Sequence, residues 1–130
     1  MYYKKKSQGA MEFAVIFGAV IFFFIAFLCI IQNNINEKNS EKEGVILQNV
    51  ALSVRDEINL AAGSSEGYRR NFTIQENILG KDYFINVSEG IVYVSIGNKG
   101  FSYITANVNG SINKGVNSLK KENGTVYLNK

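Results

Sequence analysis

Nineteen residues, Phe13 to Ile31, run without a charged side chain, and one carboxylate, Glu12, stands directly before them. That run most constrains the fold. As a helix rising about 1.5 Å per residue it covers roughly 28 Å, the depth of a hydrocarbon core. Phe13, Phe17, Phe22, Phe23, Phe24 and Phe27 are spread around it, so it is apolar on all sides. It is longer than the apolar part of an ordinary secretory signal. The following Ile30-Ile31-Gln32-Asn33 offers no small-x-small cleavage site, so the segment is expected to be retained.

Charge placement sets the orientation. Lys4, Lys5 and Lys6 account for the whole net charge of +3; without them, 11 basic residues face 11 acidic ones. Lysines before an apolar span are held on the cytoplasmic side, which directs the C-terminal body out of the cell. A neutral body argues against nucleic-acid binding, which places basic charge on the folded part. The single cysteine, Cys29, lies inside the apolar run, so no intrachain disulfide can form. It reads as a small hydrophobe.

Histidine is absent, which removes the commonest general base and metal ligand. The chain has no nucleophile–histidine pair, no phosphate-binding loop, no dinucleotide fingerprint and no paired-carboxylate cluster. Asp82 and Glu89 flank a predicted hairpin as isolated carboxylates. No enzymatic activity, cofactor or metal is expected.

Proline is absent too, which favours a long unbroken N-terminal helix. From Gln32 to Gly44 the composition turns polar, and the helix either continues or frays there, with Gly44 a weak point costing about 1 kcal/mol relative to Ala. From Val45 to Ala62 a helical period returns. Leu47, Val50, Ala51, Val54, Ile58, Ala61 and Ala62 form one stripe at steps of three and four. Gly63-Ser64-Ser65-Glu66-Gly67 ends it.

Beyond Tyr68 the period becomes two. Strands are predicted over Arg69–Gln75, Asp82–Val87, Ile91–Ile96, Phe101–Val108 and Thr125–Leu128. Ser88-Glu89-Gly90, Gly97-Asn98-Lys99-Gly100, Asn109-Gly110 and Asn123-Gly124 read as turns. Ser111–Lys121 is open between loop, short strand and helical turn. About 60 residues of antiparallel sheet are marginal alone, and the helical stripe is their natural cover. The expected fold is α+β: a helix over 8–62, with 13–31 the apolar segment and 45–62 the amphipathic half, whose outer half packs into a small antiparallel β head at 68–130, in a lollipop layout. Tyr68, Tyr83, Tyr93, Tyr103 and Tyr127 are expected mostly in the core or in cross-strand pairs.

Lys6-Ser7-Gln8, then Glu12, then an apolar helix, resembles the class III signal peptide of archaeal type IV pilin-like proteins, in the adhesion-pilus form. The match covers residues 4–31, and the head carries no motif of that family. Bacterial TadE-like membrane proteins share a similar Glu12-Phe13-Ala14 start. The resemblance implies a leader of residues 1–7, removed between Ser7 and Gln8 by a membrane prepilin peptidase. Ser7 stands where the family more often has Gly. The cut discards Lys4, Lys5 and Lys6 and frees the helix to leave the bilayer for a homopolymeric filament. A pilus assembly ATPase and a membrane platform protein are the further partners implied. The precursor is then a cytoplasmic-membrane protein and the mature form part of an extracellular pilus for surface attachment.

Glu12 acquires a role in that reading. An unpaired carboxylate in a packed apolar bundle costs several kcal/mol. In such filaments it is understood to meet the new N-terminal ammonium, here on Gln8, which sets register. The plainer role is a first-turn carboxylate favoured by the helix dipole by roughly 0.3–1 kcal/mol. Gly9, Ala10, Ala14, Gly18, Ala19 and Ala26 suit either lipid exposure or close helix packing. The alternative class is a single-span anchored surface protein that binds through its head, or a minor or priming pilin.

Asn71, Asn86, Asn109 and Asn123 each begin an Asn-x-Ser/Thr triplet, all in the head. They are candidate acceptors for an oligosaccharyltransferase. Asn109 and Asn123 are also ordinary turn residues.

Overall fold

The computed structural model describes the backbone of residues 2–130 and the side chains of residues 5–130. One helix, α1 (Tyr2–Ala62), precedes seven strands: β1 (Arg69–Ile74), β2 (Phe84–Ser88), β3 (Ile91–Ile96), β4 (Lys99–Ile104), β5 (Val108–Gly110), β6 (Gly115–Glu122) and β7 (Thr125–Leu128). The chain divides into two compact units, Met1–Ser40 and Glu41–Lys130. The described part of the first unit is helical throughout, and none of its side chains described is buried. The polar stretch Gln32–Gly44 is helical, Gly44 included.

The second unit has the expected α+β architecture. The C-terminal part of α1 packs against two small sheets, one ordered β1-β6-β7-β5 and one β2-β3-β4. Six residues of the predicted stripe, Leu47, Val50, Ala51, Val54, Ile58 and Ala61, are buried. They meet Phe72 and Ile74 of β1, Val92, Val94 and Ile96 of β3, and Leu119, Val126 and Leu128 of β6 and β7 in one core. Each buried Leu, Ile or Val side chain contributes roughly 1.5–3 kcal/mol of gross transfer free energy. Of the tyrosines, Tyr83 is buried, Tyr68, Tyr103 and Tyr127 are half-buried, and Tyr93 is exposed.

Polar links hold α1 to the strands. Asn59 Oδ1 accepts from Ala106 N at 2.9 Å and from Thr105 Oγ1 at 3.2 Å. Glu43 pairs with Lys81 at 3.0 Å, and Glu57 with Arg70 at 3.1 Å. The helix stops at Gly63, whose N–H donates to Asn59 O at 3.0 Å.

Two predicted turns have the backbone that their sequence demands. Glu89 and Gly90 have φ of 52° and 73°, and Asn123 and Gly124 have 53° and 75°. Two consecutive positive φ values define the tight I′ turn that suits a twisted hairpin. They join β2 to β3 and β6 to β7. The Gly97–Gly100 signal narrows to Gly97-Asn98, because Ile96 pairs with Lys99 and β4 starts there.

Asn109-Gly110 is a strand rather than a turn. It belongs to β5, which runs parallel to β7, the one parallel pairing among the described strands. Gly110 is required there by packing: a Cβ on it would lie 1.8 Å from Leu128 O. The segment Ser111–Lys121 also resolves, since most of it forms β6, the longest strand described.

Candidate functional site

The residues that the sequence leads one to expect at a cleavage and assembly site lie in the first unit. Ser7, Gln8 and Glu12 all lie within α1 and are exposed. Gln8 and Glu12 are four residues apart, so they stand one above the other on the same helix face, about 6 Å along the axis. Lys5 and Lys6 are exposed in the preceding turn, while the Lys4 side chain lies outside the described residues. Among the described residues, Glu12 has no ion-pair partner.

The apolar run that follows is unsatisfied by the chain's own fold. The most hydrophobic window of α1 reaches a mean hydropathy of 3.1 with none of it buried. By length and composition α1 can cross a membrane. Two pairs of its aromatic rings meet: Phe13 stacks on Phe17 at 5.8 Å, and Phe22 meets Phe23 edge-on at 5.9 Å. Among the described residues, nothing beyond the helix's own backbone and the adjoining residues comes within 4 Å of where a Cβ on Gly9 or Gly18 would stand. A glycine inside a helix costs about 1 kcal/mol relative to alanine. Among the described residues, no packing partner accounts for that cost at either position. Close approach by another helix is the use such residues have in an apolar setting.

The four sequon asparagines are all exposed. Asn71, Asn86 and Asn109 lie on β1, β2 and β5, each an edge strand of its sheet, and Asn123 lies in the β6–β7 turn. Asn86 Nδ2 donates to Ser88 Oγ of its own triplet at 3.3 Å. Asn109 Oδ1 accepts from Lys130 Nζ at 2.6 Å.

A shallow cleft of about 580 Å³ opens in the head, lined by Asp82, Tyr83, Phe84, Ile96, Ile112 and Lys114. Lys114 Nζ donates to Asp82 and lies 4.7 Å from the Tyr83 ring centroid. The hydrogen bond from Lys114, reinforced by its charge, holds the Asp82 carboxyl below its ordinary range. Burial, followed by the charge of Asp82, pushes the Tyr83 phenol up. Each charge in the cleft thus already has its counterpart. Among the described residues no His, Cys, Asp or Glu cluster is suited to a metal ion.

One feature of the head escaped the sequence reading. Phe84, Ile91, Tyr93 and Ile104 are exposed together on the outward face of the β2-β3-β4 sheet. The signal was present in the alternation, which sets Phe84 on the side of Asn86 and Ser88. No protein-family model, curated protein or solved structure matches the chain.

Proposed function

We propose that the chain is a structural subunit of an archaeal type IV-like adhesion pilus. One observation carries the reading. The Lys4–Lys6, Ser7, Gln8, Glu12 order abuts an apolar helix that the chain's own fold leaves wholly uncovered. In the membrane, lipid satisfies that helix. After removal of residues 1–7, neighbouring copies of the same helix satisfy it in a filament core, with Gly9 and Gly18 admitting close approach. Cleavage between Ser7 and Gln8 removes the lysines that hold the helix end in the cytoplasm. It also creates an ammonium on Gln8, four residues before Glu12. That ammonium pairs with Glu12 of its own or a neighbouring subunit and fixes the register of an otherwise featureless apolar contact.

The head then forms the outer surface and mediates attachment, with Asn71, Asn86, Asn109 and Asn123 available to an oligosaccharyltransferase outside the cell. Prepilin peptidase, assembly ATPase and membrane platform protein are the partners this route needs.

The mature N-terminus tests the reading. Mass spectrometry of sheared extracellular filaments is expected to find this chain beginning at Gln8. An intact Met1 confined to the membrane fraction would instead make the chain a permanently anchored surface protein.

A further inference from the structure

The two sheets of the head present different outward faces. The β1-β6-β7-β5 sheet carries charge outward: Arg69 pairs with Glu122 at 3.3 Å, Lys120 with Glu122 at 3.7 Å, and the Lys120 ammonium sits 5.5 Å from the Tyr127 ring centroid. No outward position of the β2-β3-β4 sheet is charged. Its apolar members are Phe84, Ile91, Tyr93 and Ile104, exposed by 56%, 44%, 40% and 84%. Serines, Gly100 and Asn86 fill the positions between them. Exposed apolar side chains gathered on one uncharged face, with small and polar groups between them, suit a surface that something else covers.

Asn86 lies on this face, midway along its edge strand β2. It is directly opposite Tyr93 in the β2–β3 register, and Phe84 lies two residues before it on the same side. Directly opposed side chains in an antiparallel pair have Cβ atoms about 4.5–5.5 Å apart. The Phe84 and Tyr93 rings are 6.0 Å apart and tilted by 56°. Tyr93 leans over Gly100, where a Cβ would lie 3.1 Å from its hydroxyl and 3.4–3.5 Å from its ring carbons. A group attached to Asn86 Nδ2 therefore emerges beside two exposed aromatic rings on a surface without charge.

We propose that Asn86 carries an N-linked oligosaccharide whose first sugars lie across Tyr93 and Phe84 and cover the uncharged face of the β2-β3-β4 sheet. The chemistry of the face fits a neutral sugar. The apolar C–H face of a pyranose packs on an aromatic ring, and its hydroxyls find Ser88, Ser95 and Ser102 at the edges. Ser88 completes the acceptor triplet on the same face of the strand, within hydrogen-bond distance of Asn86. The donor is an oligosaccharide linked through phosphate to a membrane lipid. A bond forms between sugar C1 and Asn86 Nδ2, the bond from C1 to the lipid phosphate oxygen breaks, and the proton lost by Nδ2 leaves with the lipid phosphate. The other three acceptors lack this surface: Asn71 faces Ser118 on the charged sheet, Asn109 is engaged by Lys130, and Asn123 sits in a turn.

The inference rests on the head lying outside the cell, which both the pilus reading and its anchored alternative share. The test uses the full chain isolated from its native cells. The tryptic peptide Asp82–Lys99 is expected to carry a glycan at Asn86. Hydroxyl-radical footprinting on intact cells is expected to show Tyr93 and Phe84 protected. Both become several-fold more reactive in Asn86→Gln and equally in Ser88→Ala, which leaves Asn86 in place, while Tyr127 stays unchanged. A bare Asp82–Lys99 peptide overturns the inference, and so does a glycan whose loss leaves Tyr93 reactivity unaltered. A bare Asn86 overturns only this inference; protease accessibility of the head on intact cells reads its outward placement separately. Tyr93 protected without a glycan, and only in assembled filaments, would make the face a contact between copies and reject the sugar.

Discussion

The Lys121 ammonium donates to the carbonyl of Ala62 at 2.7 Å, across 59 residues of sequence, and to that of Ser64 at 2.8 Å. The last turn of α1 has no basic residue of its own. Its terminal carbonyls have no helical partners, and a cation there opposes the negative end of the helix dipole. The backbone of Lys121 does the same work on the linker, accepting from Gly67 N and donating to Tyr68 O, both at 2.9 Å. One residue of β6 thus fixes where α1 ends and where β1 begins.

Lys121→Met keeps the aliphatic stem and removes the cap. It is expected to destabilise the head by about 1.5–3 kcal/mol, the range for hydrogen bonds to a charged group. Lys121→Arg should recover part of the loss. Urea unfolding of the detergent-solubilised full chain, followed by near-ultraviolet circular dichroism, measures this. An unchanged midpoint in Lys121→Met would show that water serves those carbonyls equally well.

Gly110 makes a sharper prediction. The atom that its missing Cβ would strike is the backbone oxygen of Leu128, which no side-chain rotation can move. Its φ of 128° adds strain for any other residue. Gly110→Ala should break the parallel β5–β7 pairing and expose the amides of Val108 to Gly110 to hydrogen exchange. Gly124→Ala is the control, with φ of 75° but open space around the new methyl. It meets only the left-handed penalty, about 1–2 kcal/mol. If Gly110→Ala costs no more than that, the close approach to Leu128 is not what selects glycine.

Asp82 predicts a pH dependence. Its carboxyl is held below the ordinary aspartate range, first by the hydrogen bond from Lys114 and then by that residue's charge. A carboxyl lowered on folding binds protons more readily when unfolded. Its contribution is therefore present above about pH 4 and lost as pH falls through the folded value. Lys114→Met should return Asp82 towards its ordinary range, read by nuclear magnetic resonance titration of the carboxyl carbon. It should also flatten the acid limb of the stability curve. An Asp82 midpoint that does not rise in the variant would assign the shift to another cause.

The parts of this fold legible in the sequence are those where hydropathy and backbone geometry agree. Leu47 to Ala61 repeat at three and four residues and are buried as a stripe, and Asn123-Gly124 makes the turn its residue types favour. β6 was illegible for a physical reason. Its inward positions include Asn117 and Lys121 beside Leu119, so no apolar alternation marks it. Asn117 is buried yet fully engaged: Oδ1 accepts from Asn113 N at 2.8 Å and Asn129 Nδ2 at 2.7 Å, and Nδ2 donates to Asn113 O at 2.7 Å. Lys121 points inward to reach a helix end. Asn109-Gly110 misled because glycine serves close approach there, not a reversal. For Ser7, Gln8 and Glu12 the expected roles come from the resemblance of the leader, and helical geometry adds only that Gln8 and Glu12 share a face.

Glu12 gives the prediction closest to function. Its carboxylate is exposed at the mouth of the apolar run, and among the described residues it has no ion-pair partner. In a bilayer, headgroups and water solvate it. In the proposed bundle of apolar helices an unpaired charge costs several kcal/mol, so assembly demands a cation, which the proposed cleavage before Gln8 supplies. Glu12→Ala removes the pairing and leaves the Gln8 ammonium as the unpaired charge. The variant is expected to insert and to be cut before Gln8 as usual, because the lysines and Ser7-Gln8 are intact. Filament yield is expected to fall by about tenfold or more, the effect of roughly 1.4 kcal/mol or more of lost pairing per subunit. Glu12→Gln should fail likewise, since an amide cannot match the ammonium charge. Electron microscopy of sheared filaments, beside mass spectrometry of the processed membrane pool, separates assembly from cleavage. Normal filament yield from processed Glu12→Ala would show that helix packing alone sets the register.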